Sequence, residues 1–312
     1  MNRPRSNALS GPRDPRYLNP AQQLGMAMRA PITVADELEQ FLIKIFARKD
    51  LMETEAIPHN ISIGVYKAYA NIVDGVVPAP EMDVLRTARG VWELIRHKVS
   101  PTHLSRALFQ KAGCPFLDEK VFGDDDYALT LLGDFLYFQL HPGAATCRVY
   151  LNVIFESMPN VVQTVLDLPP VLYAEITGFK TDGPGASRAD SVVIYCKTRA
   201  TAEQVAAIML ARIAEGTVRS SDQTVPAMTT RLGAGVALGA EPRQQETALM
   251  APVPGRPRTA QSFGTIRSQA IAAAILSYRA NRHLLGGDYE VFRKFAAIAF
   301  KGFGLDPDAP GN

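Results

Sequence analysis

The hydrophobic pattern of the chain changes near residue 123. Between residues 31 and 122, apolar residues recur three and four positions apart, as in VADELEQFLIKIFAR and in residues 81–98, which predicts amphipathic helices. After residue 123, β-branched and aromatic residues gather in short runs such as TCRVYLNVI and SVVIYCK, which predict strands. The pattern therefore predicts an α+β fold with a helical N-terminal half.

The second half alternates predicted strands with predicted helices. We expect strands at 146–154, 171–180 and 191–197, an irregular glycine-containing strand at 225–239, and helices at 160–168, 201–214, 263–281 (with Ser262 as its cap) and 289–300. Short loops as well as helices join the strands, which favours an α+β domain with a mainly antiparallel or mixed sheet. Residues 1–30 carry Pro, Ser and Asn without apolar periodicity and are predicted to be a flexible tail. The predicted organisation is a tail (1–30), a helical domain (31–122) and an α+β domain (123–312).

Composition excludes several classes of function. The chain has 33 basic and 31 acidic residues, a net charge of +2, which argues against a general nucleic-acid binder or a polybasic membrane-surface protein. Three cysteines without a C-x-x-C pair favour a reducing compartment, and hence the cytoplasm. No apolar run reaches the roughly 18 residues of a membrane span. The five histidines are dispersed, so no metal site is predicted.

Polar and charged residues stand within the predicted strands 146–154, 171–180 and 191–197. Others lie in the loop that precedes the strand 191–197. Side chains alternate along a strand, so Arg148 and Tyr150 share one face, as do Tyr195 and Lys197. Burying unpaired cations is costly. These residues therefore either meet solvent, with Asp190 and Glu175 as ion-pair partners, or line an anion site. The whole set comprises Arg148, Tyr150, Lys180, Arg188, Asp190, Tyr195 and Lys197.

Lysine is rare in the second half of the chain. Lys180 and Lys197 are the only lysines between residues 121 and 293, where arginine is common. A GC-rich genome would produce this bias without any help from function. A retained lysine is equally consistent with chemistry that needs an amine, because ammonium can be tuned to act as a base whereas guanidinium stays protonated.

Five spaced motifs stand in the second half of the chain: R-V-Y-L-N (148–152), F-K (179–180), R-A-D-S-V-V-I-Y (188–195), T-T-R-L-G-A-G-V-A-L-G-A-E-P (229–242) and S-F-G-T-I-R (262–267). They resemble the motifs of the HopA-type effector family. This family was named for type III effectors of plant pathogens, and related proteins occur in actinobacterial clusters that make class V lanthipeptides and thioamitides. There the family member acts as a lyase beside a kinase-like phosphotransferase partner, which phosphorylates Ser or Thr in a precursor peptide. The resemblance implies elimination of phosphate to leave dehydroalanine or dehydrobutyrine.

A more distant likeness, to bacterial phosphothreonine lyases, implies roles for individual residues. Lys180 takes the place of the base, and Arg148-x-Tyr150 takes the place of a Lys-x-His strand in which histidine is the acid. The interval from Arg188 to Tyr195 is shorter than in those lyases, and Arg231 stands where HopA-type proteins usually have lysine. Together the resemblances imply catalytic roles for Lys180, Tyr150 and Tyr195, and phosphate contacts from Arg148, Arg188, Lys197, Arg231 and Arg267.

The residue types suit this chemistry. β-Elimination needs a base at the α-carbon, and neighbouring cations lower the pKa of a lysine toward that role. Arginine can engage two phosphate oxygens with its planar fork. No metal or organic cofactor is required.

The expected partners are a phosphorylated precursor peptide and the kinase-like protein, with neither nucleic acid nor membrane. The alternative is a non-catalytic effector or protein-interaction module. The N-terminal helices either recognise a partner or leader peptide, or simply pack against the second half.

Overall fold

The computed structural model describes residues 34–53, 57–72, 136–181, 188–241 and 262–311, together with positions within 86–94. The predicted tail lies outside these residues, as does most of the segment between 73 and 135. The described N-terminal segments are helical, as predicted, and the described positions within 86–94 are helical too. These helices are α1 (Asp36–Phe46), α2 (Lys49–Met52) and α3 (Pro58–Tyr69).

The second half contains a six-stranded sheet in which every neighbouring pair of strands is antiparallel. The strand order is β1-β3-β4-β2-β6-β5. This arrangement confirms the α+β fold class. The strands are β1 (Leu136–Gln139), β2 (Cys147–Leu151), β3 (Ile176–Thr181), β4 (Val192–Cys196), β5 (Thr230–Gly233) and β6 (Val236–Ala240).

Three of the helices in this half begin at a side-chain cap. The hydroxyl of Thr198 accepts from the backbone N–H of Thr201, and Ser262 caps its helix in the same way, as predicted. None of the described helices is long and apolar enough to cross a membrane. The α-helices of the second half are α4 (Met158–Leu166), α5 (Pro170–Tyr173), α6 (Arg199–Ala214), α7 (Phe263–Leu285) and α8 (Tyr289–Gly302).

Two of the predicted strands are wrong in part. The predicted strand 171–180 is split into the helical turn α5 and strand β3, because Pro170 occupies the first turn of a helix, where its fixed φ and missing N–H suit it. The predicted irregular strand 225–239 is instead the hairpin of β5 and β6. Gly235 turns the chain there with a φ of +73°, a conformation that glycine adopts without strain.

Helices cover both faces of the sheet. On one face, buried residues such as Val149, Leu151 and Ile194 pack in one cluster with α4 and α6. On the other face, Tyr150 and Val193 pack in a second cluster with α7, α8 and the N-terminal helices α1 and α3. The apolar sides of α1 and α3 are thus used in core packing, one of the two alternatives for the N-terminal helices.

Candidate functional site

The strand register brings most of the predicted site residues onto one face of the sheet. Arg148 lies opposite Tyr195 on β4, and Tyr150 lies opposite Val193, which in turn lies opposite Lys180 on β3. Directly paired residues of antiparallel strands project to the same side. The face that α3 and α7 cover therefore carries Arg148, Tyr150, Lys180 and Tyr195. We call these four residues, together with Arg188, the arginine–tyrosine face.

Arg148 is buried on this face and bound to a carboxylate. Its Nη2 donates to Oε2 of Glu241 at 2.6 Å, and its Nε donates to Oε1 of the same residue. The guanidinium also lies over the ring of Tyr195, 4.9 Å from its centroid. Burial would lower the pKa of Arg148, but Tyr150, Tyr195 and Glu241 outweigh it and hold that pKa well above its ordinary value. The guanidinium therefore stays charged.

Arg188 forms a second buried fork. Its Nε and Nη2 donate to the two oxygens of Asp190 at 2.5 and 3.0 Å, and Nη2 also donates to the hydroxyl of Tyr66 at 3.1 Å. The backbone N–H of Ala189 donates to the carbonyl of Ala70 at 2.8 Å. The C-terminal end of α3 is thereby fixed against the residues that precede β4.

Tyr66 links the two arginines electrostatically. Burial raises the pKa of its phenol and Asp190 raises it further, whereas Arg188 and Arg148 lower it. Both guanidinium charges therefore act on this one hydroxyl. The net direction of the pKa is upward, so the phenol is protonated at neutral pH.

Tyr150 is enclosed at the centre of the face. Only 1% of its surface is exposed, and its ring centroid is 6.0 Å from that of Phe263 on α7. Burial raises its pKa to about 12. Its hydroxyl and that of Tyr69 are both buried without a hydrogen-bond partner of normal geometry among the described residues. They are nevertheless close enough for each to influence the pKa of the other.

The remaining predicted phosphate ligands lie elsewhere. Lys197, at the end of β4, donates to the carbonyl of Ala174 at 2.8 Å and lies 3.6 Å from Glu175, the partner that the sequence suggested. Arg231 is exposed on β5. Arg267 is buried; its Nε donates to the carbonyl of Pro310 at 2.6 Å and its guanidinium lies 3.5 Å from the ring centroid of Phe263. Phosphate binding by these three residues stays a prediction.

Sequence reasoning missed Glu241, Tyr66 and Tyr69. Glu241 belongs to the glycine-rich motif 229–242 and stands next to a proline. Its place in that motif could have marked it as a candidate site residue. Tyr66 and Tyr69 stand three residues apart on α3 and so lie on one side of that helix. No pattern in the sequence ties that side to β2 and β4, because the contact depends on how α3 packs.

The face carries both signs of charge: the cations Arg148, Arg188 and Lys180, and the carboxylates Glu241 and Asp190 that pair with the two arginines. It combines arginines, tyrosine hydroxyls and a lysine, which donate hydrogen bonds and supply positive charge. Among the described residues there is no group of three His, Cys, Asp or Glu side chains that could hold a metal ion.

The fold and this face define an α+β protein whose antiparallel sheet carries buried arginine–carboxylate pairs beneath a helical layer. Residues 136–311 match the HopA1 effector protein family, and since this is more than half of the chain, the chain belongs to that family. No curated protein matches the sequence.

Two solved structures share the fold. The effector protein from Pseudomonas syringae pv. tomato strain DC3000 superposes with a TM-score of 0.53 and 14% identity, covering 88% of this chain and 95% of that one. The effector protein from Pseudomonas syringae pv. syringae strain 61 gives 0.51 and 14%, covering 90% and 98%. At this identity the likeness extends to the fold alone.

Proposed function

We propose that the chain is a phosphoserine or phosphothreonine lyase that eliminates phosphate from a ribosomal precursor peptide in the cytoplasm. Lys180 removes the α-proton, and Arg148 and Arg188 hold the phosphate. The product carries dehydroalanine or dehydrobutyrine, and a separate kinase-like partner supplies the phosphorylated peptide.

The observation that carries the proposal is the pair of buried guanidinium forks on the face that also carries Lys180. Each guanidinium already binds two oxygens of one carboxylate. A fork with this geometry can bind two oxygens of a phosphate in the same way. Lys180 lies two strands away from Tyr150 in the same row of the sheet, a separation of roughly 10 Å at the usual strand spacing.

A second candidate function is a non-catalytic effector or interaction module of the same family. The observation in its favour is that Glu241 and Asp190 occupy the forks of the arginines. A buried ion pair can serve a purely structural role, in which case no phosphate replaces the carboxylates.

Replacing Lys180 by Arg tests the lyase. Guanidinium keeps the positive charge but cannot give up its proton at workable pH. We expect Lys180→Arg to fold and bind a phosphothreonine peptide, yet to lose at least about 10²-fold in single-turnover elimination, the lower end for a general base. The matched control is Lys301→Arg on α8, where the lysine is exposed and the rate is expected to be unchanged. Near wild-type elimination by Lys180→Arg would contradict the role of Lys180 as base.

A further inference from the structure

An elimination that expels phosphate also needs a proton donor for the leaving oxygen. By the sequence resemblance, Tyr150 takes the place of the residue that acts as this acid. In the structure its ring is covered by Phe263 and by α3, and only 1% of its surface is exposed. A peptide side chain cannot reach its hydroxyl without separating helices from the sheet.

Tyr66 meets the requirements that Tyr150 does not. It is less deeply buried than Tyr150, because part of its side chain is exposed. The hydroxyl accepts from Nη2 of Arg188 at 3.1 Å, and no described residue accepts its own proton. That proton therefore remains available to a ligand.

The position of Tyr66 relative to the fork follows from a shared nitrogen. Nη2 of Arg188 donates both to Tyr66 and to Oδ2 of Asp190. A phosphate that binds this fork must displace the Asp190 carboxylate, which is 2% exposed, and it then becomes the neighbour of the Tyr66 hydroxyl on one nitrogen. Hydroxyl and leaving group are then oriented by the same guanidinium.

We propose that Tyr66 is the general acid of this site, an assignment that rests on the proposed lyase function. Lys180 Nζ takes the α-proton, the electron pair forms the Cα–Cβ double bond, and the Cβ–O bond breaks. The departing oxygen takes the proton of the Tyr66 hydroxyl, so that phosphate leaves as hydrogen phosphate. The Lys180 ammonium then returns its proton to the Tyr66 phenolate through solvent, which restores both groups.

This assignment makes α3 part of the site. Tyr66 lies outside residues 136–311, the part of the chain that matches the family. Two backbone hydrogen bonds hold the end of α3 in place, from Ala189 N–H to the Ala70 carbonyl and from Ala227 N–H to the Tyr69 carbonyl at 3.0 Å. The N-terminal helices thus contribute to the chemistry as well as to the core.

The test compares three tyrosine-to-phenylalanine variants of the full chain on one phosphothreonine peptide. Tyr66→Phe is expected to lower the single-turnover elimination rate by at least about 10²-fold, as for loss of a general acid. Its affinity for the peptide should fall by less than about tenfold, since one hydrogen bond to Arg188 is lost. Tyr150→Phe tests the competing assignment. Tyr278→Phe is the matched control, because its hydroxyl donates to the Gly287 carbonyl at 2.7 Å, away from the sheet.

The outcomes separate this assignment from the lyase itself. A large loss of rate in Tyr66→Phe, with Tyr150→Phe and Tyr278→Phe close to wild type, supports it. If the wild type eliminates phosphate and Tyr66→Phe does so at the same rate, the assignment of Tyr66 is overturned while the proposed lyase function is supported. Equal losses of affinity and rate in Tyr66→Phe also overturn the assignment, because Tyr66 then only positions Arg188. A wild type that eliminates nothing overturns both.

Discussion

At the scale of single residues, the arginine–tyrosine face resolves a conflict in the sequence. Charged side chains suggested either solvent or an anion site, yet Arg148 is buried, the side chain of Arg188 is only 9% exposed, and each arginine is paired with a carboxylate. Pairing and hydrogen bonding offset part of the cost of burying these charges. The same pairing fixes the orientation of both guanidinium groups, and a phosphate would have to displace the carboxylates from these forks in order to bind.

Sequence reasoning identified these residues but not their partners. Arg148 and Tyr150 share a face because strand alternation requires it, and Asp190 was named as a candidate ion-pair partner. Glu241 could not be paired with Arg148 from the sequence, because 93 residues separate them and only the β2–β6 register brings them together. The depth of burial of Tyr150 likewise depends on where α7 places Phe263.

The Arg148–Glu241 pair allows stability and binding to be measured separately. Arg148→Met alone leaves the Glu241 carboxylate without its partner, and we expect it to destabilise the fold by about 3–5 kcal/mol in urea unfolding. Arg148→Met with Glu241→Gln removes both charges and should restore most of that loss. The double variant should still bind a phosphopeptide more weakly by about 1.5–3 kcal/mol, the range for hydrogen bonds to charged groups.

The unphosphorylated peptide is the control for this pair of variants. Its binding should barely change in the double variant. Equal losses for the phosphorylated and unphosphorylated peptides would mean that Arg148 is structural, and the same comparison applies to Arg188→Met with Asp190→Asn.

At the scale of elements, local pattern was sufficient for strands that alternate and helices that carry a cap. The predicted strands 146–154 and 191–197 contain β2 and β4, because their β-branched residues face a buried cluster on both sides of the sheet. The Ser262 cap was also predictable. The hairpin of β5 and β6 was not, because two short strands joined by glycines give too little alternation to separate them from one irregular strand.

Gly239 shows why this hairpin carries glycine where it meets β2. It lies opposite Arg148, and an added Cβ would lie 3.0 Å from ring atoms of both Tyr150 and Phe263. Because both rings are buried, we expect Gly239→Ala to destabilise the chain by about 1–3 kcal/mol, the usual cost of overpacking. Chemical unfolding measures this change.

The control for that substitution is Gly302→Ala at the end of α8. Nothing lies within 4 Å of the Cβ that it would add, and alanine favours a helix over glycine by about 1 kcal/mol. The control should therefore be neutral or slightly stabilising. If Gly239→Ala were as stable as this control, the rings of Tyr150 and Phe263 would be able to move aside without cost, and the expected destabilisation would be wrong.

At the scale of the whole molecule, the sheet is one layer between two helical layers, and the N-terminal helices share a core with the last two helices. The sequence indicated helices first and strands later, but apolar faces alone do not reveal what covers them. Placing α3 against β2 and β4 is what completes the arginine–tyrosine face. The proposed function depends on this assembly of the halves, so the full chain is the proper subject of its test.

The most direct measurement is the mass of a phosphothreonine peptide after incubation with the full chain. Elimination removes phosphoric acid, so we expect a loss of about 98 Da from the phosphorylated residue and a product that carries a carbon–carbon double bond. A loss of about 80 Da would indicate hydrolysis of the phosphate instead, and an unchanged mass would favour the non-catalytic module. Either of these two results would contradict the lyase.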